Sequence, residues 1–96
     1  EIARVQQRSD RQSVFAQYTI FVEERESLQK QLAESDIPTA IHYPLPLNEQ
    51  PAYQNLCCPN CTPMAQKISE KVISLPMGPY LSKQHQEIIV EALLNI

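Results

Sequence analysis

The stretch IPTAIHYPLPLNEQPAY, Ile37 to Tyr53, decides how the rest of the chain is read. It holds one of the two histidines, two of the four tyrosines and four of the eight prolines. Thr39 to Tyr43 alternates, with Ala40 and His42 on one side and Ile41 and Tyr43 on the other, which predicts a short strand. Pro44 and Pro46 end it, because each removes a backbone donor from a ladder. His42 and Tyr43 therefore stand where a strand breaks into a proline-stiffened loop, a place where binding groups are common. Adjacent strand residues face opposite ways, so the pair can meet one ligand only at such a break. Residue type alone leaves a packing role and a ligand-contact role both open.

Upstream, Ser13 to Val22 alternates. Val14, Ala16, Tyr18, Ile20 and Val22 share one face, a strand pattern whose other, half-polar face is only partly covered. Glu23 to Ser35 reads as a helix, with acidic residues crowding its first turn and Leu28 and Leu32 as its buried stripe. Asp36 follows where a left-handed residue is needed, and aspartate tolerates that conformation better than most. Pro38 then prevents the helix from continuing.

Downstream, Asn48 is placed to cap a helical turn through Pro51 to Leu56. Thr62 and Pro63 open a further helix, with Met64, Ile68 and Val72 as its buried side. Val72 to Leu75 is a strand stopped by Pro76. Ser82 caps a last helix whose apolar face is Ile88, Ile89, Ala92, Leu93 and Ile96. Residues 1–12 are polar and read as a linker, and residues 13–96 as the folded unit. The predicted class is α+β, a three-stranded sheet packed against helices.

The totals narrow the function classes. The chain has 96 residues, 43% hydrophobic and 20% charged, which is a globular composition. Its net charge is -3 and its eight Lys and Arg are dispersed, so the clustered basic face of a nucleic-acid binder is missing. No apolar run approaches the roughly 20 residues of a membrane span. With a single glycine, Gly78, there is no glycine-rich phosphate loop. No serine sits in the G-x-S-x-G setting of a hydrolase.

Cys57, Cys58 and Cys61 contain one C-x-x-C spacing just ahead of a helix. A structural zinc site needs four ligands, and His42 and His85 are too far along the chain to complete the pattern. A redox pair at a helix start, a metal site and loop cysteines without a role all stay open. Three cysteines argue against a closed disulfide framework and point towards a reducing compartment. His85, among Lys83, Gln84 and Gln86, is read as a solvated surface histidine.

Taken together, four phrases resemble one family. They are SVFAQYTI from Ser13, R-x-x-L-x-x-x-L from Arg25, the opening stretch, and ISEKVISLPMGPYLS from Ile68. In this order they are similar to the C-terminal domain of the DegT/StrS nucleotide-sugar aminotransferases, over about Ser13 to Leu94. The resemblance implies the small domain of an aspartate-aminotransferase-like fold. A large N-terminal domain would hold pyridoxal phosphate and the catalytic lysine, in an S-F-[HN]-P-x-K type setting. None of Lys30, Lys67, Lys71 or Lys83 has that setting, so the domain alone should not transaminate.

By the same resemblance, His42 and Tyr43 match an HY pair that helps hold the sugar substrate, and imidazole N–H and phenol O–H are suitable donors. It also implies a cytoplasmic homodimer, glutamate as amino donor and a UDP-linked keto-sugar as acceptor, for bacterial surface polysaccharide. The wording HYPLPLN is most similar to members that aminate a 3-keto uronic acid, with a 4-keto-6-deoxy sugar as the alternative. Asp36 stands where the family usually has glycine, and Gly78 where it often has histidine. Clustered cysteines are rare at the position of the 57–61 loop. A stand-alone binding module, with metal on Cys58 and Cys61, is the competing expectation.

Overall fold

A computed structural model of the chain describes residues 2–56, 58 and 60–96. In chain order the elements are β1 (Ile2–Arg4), β2 (Tyr18–Val22), α1 (Arg25–Glu34), a 3-10 turn (Leu47–Glu49), α2 (Pro63–Ser69), β3 (Val72–Leu75) and α3 (Lys83–Leu94). The three strands form one antiparallel sheet in the order β1-β2-β3.

β2 takes the centre because both of its edges find partners. Ile20 lies opposite Ile73 of β3 and Arg4 of β1. Ile20, Val22 and Ile73 join Leu28 and Leu32 of α1, Ile37 and Ile89 of α3 in the buried core. The Leu28/Leu32 spacing puts both side chains on the sheet-facing stripe of α1, as the sequence predicts. On the other face of the sheet, Phe21 and the paired Ala3 are met by Met64 and Ile68 of α2 across an open groove. That face is only partly covered, again as the alternation predicts.

Several expectations change. Thr39–Tyr43 is not a strand of the sheet: only Ala40 pairs, through a single antiparallel bridge to Ser74. Two neighbouring prolines leave too little chain for a ladder. The third strand is instead Ile2–Arg4, inside the segment read as linker, where Ile2, Ala3 and Arg4 pair with Val22, Phe21 and Ile20. Finally, Met64 is 67% exposed and Ile68 39% exposed, so α2 does not bury the side its spacing suggests. The 13–22 strand is also shorter than the alternation implies, because the backbone bends at Ala16 and Gln17 before β2 begins.

Helix ends follow local chemistry. Ser82 caps α3, its Oγ accepting from the His85 N–H at 3.1 Å, and His85 itself is exposed. Asp36 has φ 57°, the left-handed conformation expected of it. Thr62 precedes Pro63 at the start of α2, but its hydroxyl does not cap. It donates to Asn48 Oδ1 at 3.0 Å, while Asn48 Nδ2 donates to the Cys58 carbonyl at 3.1 Å. Asn48 therefore ties the two ends of the 48–62 loop together and does not cap a turn. Residues 51–56 form turns, with the Tyr53 N–H donating to Gln50 O at 2.9 Å.

Candidate functional site

Ser74, buried in the middle of β3, organises the neighbourhood of His42. Its hydroxyl shares a 3.1 Å hydrogen bond with Thr19 Oγ1 of β2. Its backbone exchanges two bonds with Ala40: Ser74 N–H to Ala40 O at 2.7 Å, and Ala40 N–H to Ser74 O at 3.1 Å. That double bond pins the otherwise irregular 37–43 segment against the outer edge of β3. Ile37, held by its N–H to Leu32 O at 2.9 Å and buried in the core, pins the other end. The chain between α1 and the prolines is thus fixed at two points, and His42 follows directly.

His42 is half-buried and lines a groove of about 300 Å³. The other walls come from Gln17 ahead of β2, from Thr39, and from Pro76 and Met77 after β3. No carboxylate, ammonium or guanidinium group lines it, so its polar character rests on an amide, hydroxyls and one imidazole. Tyr43 is 68% exposed and is not a wall of the groove. Its ring stands edge-on to the His42 ring, centroids 5.4 Å apart at 68°, and the peptide bond joining the two residues is cis. The two rings lie side by side, but only the imidazole lines the groove.

A second groove, of about 400 Å³, lies between Ala3, Phe21, Met64 and Ile68. Lys67 and Lys71 border it with Glu23. The Lys71 ammonium donates to the Glu23 carboxylate, and this bond, then the Lys71 charge, holds the Glu23 carboxyl below its ordinary value.

The cysteine expectations also change. Cys58 and Cys61 are joined by a disulfide, with Cα atoms 5.5 Å apart. A metal needs thiolates, so this bridge does not serve as the ligand pair of the binding-module alternative. No group of three or more metal-ligating side chains comes together among the described residues. The bridge spans three residues, a local clasp and not a framework. Cys57 lies outside the described residues.

In the groove beside His42, pyridoxal phosphate would require a lysine able to reach its aldehyde. No lysine lines that groove. Lys71 is engaged by Glu23, Lys83 lies 3.9 Å from Glu87 at the exposed start of α3, and Lys30 and Lys67 are exposed on α1 and α2. The residues present do not form the cofactor's site. At Gly78, which follows the groove wall at Met77, a Cβ would meet nothing within 4 Å, so a larger side chain has room there.

Two residues of the groove were not singled out as binding groups in the sequence. Both read as strand residues, Gln17 within the alternating 13–22 stretch and Thr39 at the start of the 39–43 strand. The QYT at Gln17–Thr19, part of the SVFAQYTI phrase that carries the family resemblance, is the one available signal.

The profile of the DegT/DnrJ/EryC1/StrS aminotransferase family matches residues 1–94, and the chain belongs to that family. It is 46% identical over 83 residues to the UDP-2-acetamido-2-deoxy-3-oxo-D-glucuronate aminotransferase of Pseudomonas aeruginosa, covering 86% of this chain and 23% of that protein. It is 38% identical over 84 residues to the dTDP-3-amino-3,6-dideoxy-alpha-D-galactopyranose transaminase of Aneurinibacillus thermoaerophilus, covering 88% of this chain and 23% of that one. The crystal structure of S. venezuelae DesV in complex with a ketimine intermediate superposes with a TM-score of 0.93 at 29% identity, over 98% of this chain and 26% of DesV. The chain thus spans about a quarter of the length of the relatives it matches.

Proposed function

We propose that this chain is the C-terminal small domain of a pyridoxal-phosphate aminotransferase that moves an amino group from glutamate to the keto group of a UDP-linked sugar. The large domain holds the cofactor and the catalytic lysine, in the three quarters of the relatives' length that this chain does not match. The small domain closes over the substrate and presents His42 and Tyr43 to it. The intact enzyme is a cytoplasmic homodimer, and its amino sugar enters a bacterial surface polysaccharide. The acceptor is a 3-keto uronic acid, in keeping with the Pseudomonas aeruginosa relative.

The observation that carries this reading is the placement of His42. The Ala40–Ser74 bridge fixes the backbone two residues before it, and the imidazole lines a groove without charged walls. A neutral or protonated imidazole donates to sugar or carboxylate oxygens, while the exposed Tyr43 hydroxyl is free to reach a substrate arriving from outside this domain. Both contacts orient the sugar and take no part in bond making, so their effect falls on binding and alignment.

In the full-length enzyme, His42→Ala should raise KM for the nucleotide sugar by about ten-fold or more, the loss of one to two good hydrogen bonds. The Kd for pyridoxal phosphate, followed by its absorbance, should stay within about two-fold, well under the ten-fold that corresponds to 1.4 kcal/mol. Equal weakening of sugar and cofactor would show that His42 holds the fold and not the substrate.

A further inference from the structure

Gln17 lines the same groove as His42, and the way it gets there sets it apart from its neighbours. In a continuous strand, Ala16 and Gln17 would point to opposite faces. Here both line the groove, because the backbone bends at these two residues before β2 begins. The bend starts at Phe15, whose φ is 46°, an uncommon conformation for an aromatic residue. Its N–H is satisfied by Ser13 Oγ at 3.0 Å, and its ring stacks on Tyr18, centroids 6.3 Å apart at 23°. Locally costly backbone that is held in place by such contacts is a recurrent feature of ligand sites.

Ser74 Oγ is bonded to Thr19. The Gln17 amide makes no hydrogen bond to another described residue and is exposed. An amide offers two donor hydrogens and an acceptor oxygen without charge, which suits a hydroxyl or acetamido substituent of a sugar. Ala16, beside it, has no side chain beyond Cβ to obstruct access.

Resting on the proposed role of His42, we infer that Gln17 is a specificity-determining residue of the same subsite. Its amide hydrogen-bonds a polar substituent of the nucleotide-linked sugar from the wall opposite the 38–42 segment. The bend at Ala16–Gln17 is what aims it there, and a straight strand would not.

The test uses the full-length enzyme with two probes, UDP-2-acetamido-2-deoxy-3-oxo-glucuronate and its neutral counterpart bearing a hydroxymethyl group at C6. Gln17→Ala should raise KM for both probes roughly three- to ten-fold, the loss of one neutral hydrogen bond. KM for glutamate and the thermal midpoint should not move. Gln17→Glu should raise KM for the uronate more than for the neutral probe, by like-charge repulsion. His42→Ala is run alongside. If it raises KM for the sugar while both Gln17 variants match the parent, the Gln17 inference is overturned and the His42 role survives. If neither position affects sugar KM, both are overturned. A Gln17→Ala loss that extends equally to glutamate, with a lowered midpoint, identifies a structural residue and also overturns the inference.

Discussion

Asp36 closes α1 in the left-handed region, with φ 57° and its N–H donating to Ala33 O at 3.0 Å. Only glycine adopts this conformation without a Cβ penalty, and other residues lose roughly 1–2 kcal/mol there, aspartate less than most. Asp36 makes no side-chain ion pair among the described residues that would offset the difference. Asp36→Gly should therefore stabilise the fold, by up to about 1 kcal/mol once the larger unfolded-state entropy of glycine is counted. The shift in urea midpoint measures it. A loss of stability would mean that the Asp36 side chain makes a stabilising contact of its own. The position is one of the clearer cases of a sequence expectation met by geometry, because the requirement for a left-handed residue is local to the end of one helix.

At the scale of elements, Arg25 joins three of them. From the first turn of α1 its Nη1 donates to the Ser69 carbonyl at the end of α2 and to the Val72 carbonyl of β3, the latter at 3.4 Å. The last carbonyls of a helix have no partner within it, and a cation there also suits the negative end of the helix dipole. Ser69 and Val72 are both buried, so water does not readily replace the guanidinium. Arg25→Ala should cost about 1–3 kcal/mol, the usual range for leaving buried acceptors unpaired. Arg25→Lys should recover only part of it, since the guanidinium holds the two Nη1 hydrogens in a fixed plane, whereas an ammonium is a compact, strongly hydrated point charge on a flexible stem. Urea unfolding of the three proteins checks the order, and a lysine variant as stable as the parent would show that charge alone suffices. The sequence marks Arg25 as part of a recurring phrase with Leu28 and Leu32, but its carbonyl partners lie more than forty residues away, beyond the reach of periodicity.

Across the whole molecule, the Glu23–Lys71 pair links the end of β2 to the segment entering β3. Lys71 O also accepts from the Val22 N–H at 3.0 Å. The Glu23 carboxyl is held below its ordinary value of 4.5, first by the hydrogen bond from Lys71 and then by the charge of Lys71. A depressed folded-state value means that the unfolded chain binds the proton more readily. The pair's contribution is therefore present above the ordinary glutamate range and is lost as pH falls through the folded value. Glu23→Gln should lower stability at neutral pH by a small amount, as an exposed pair does. The difference from the parent should shrink in high salt and vanish in acid. Urea midpoints across pH at two salt concentrations test this, and a gap that persists unchanged in acid would show that Glu23 acts by packing and not by charge.

Residue order by itself determined the family, the α1 stripe of Leu28 and Leu32, the Ser82 cap and the left-handed Asp36. Each of these depends on neighbours within a few positions, or on a phrase compared whole, so no knowledge of distant contacts is needed. Tertiary structure alone decided which segments pair. Ile2–Arg4 became the third strand because the free edge of β2 could accept it, whereas Thr39–Tyr43 kept a single bridge because prolines cut short its ladder. Strand formation depends on what lies alongside, which is why an apparently polar linker was recruited and an apparently good strand was not. The exposure of Met64 and Ile68, the clasp between Cys58 and Cys61, and the meeting of Gln17 with His42 in one groove have the same origin. They arise from segments far apart in sequence that the sheet brings to one place.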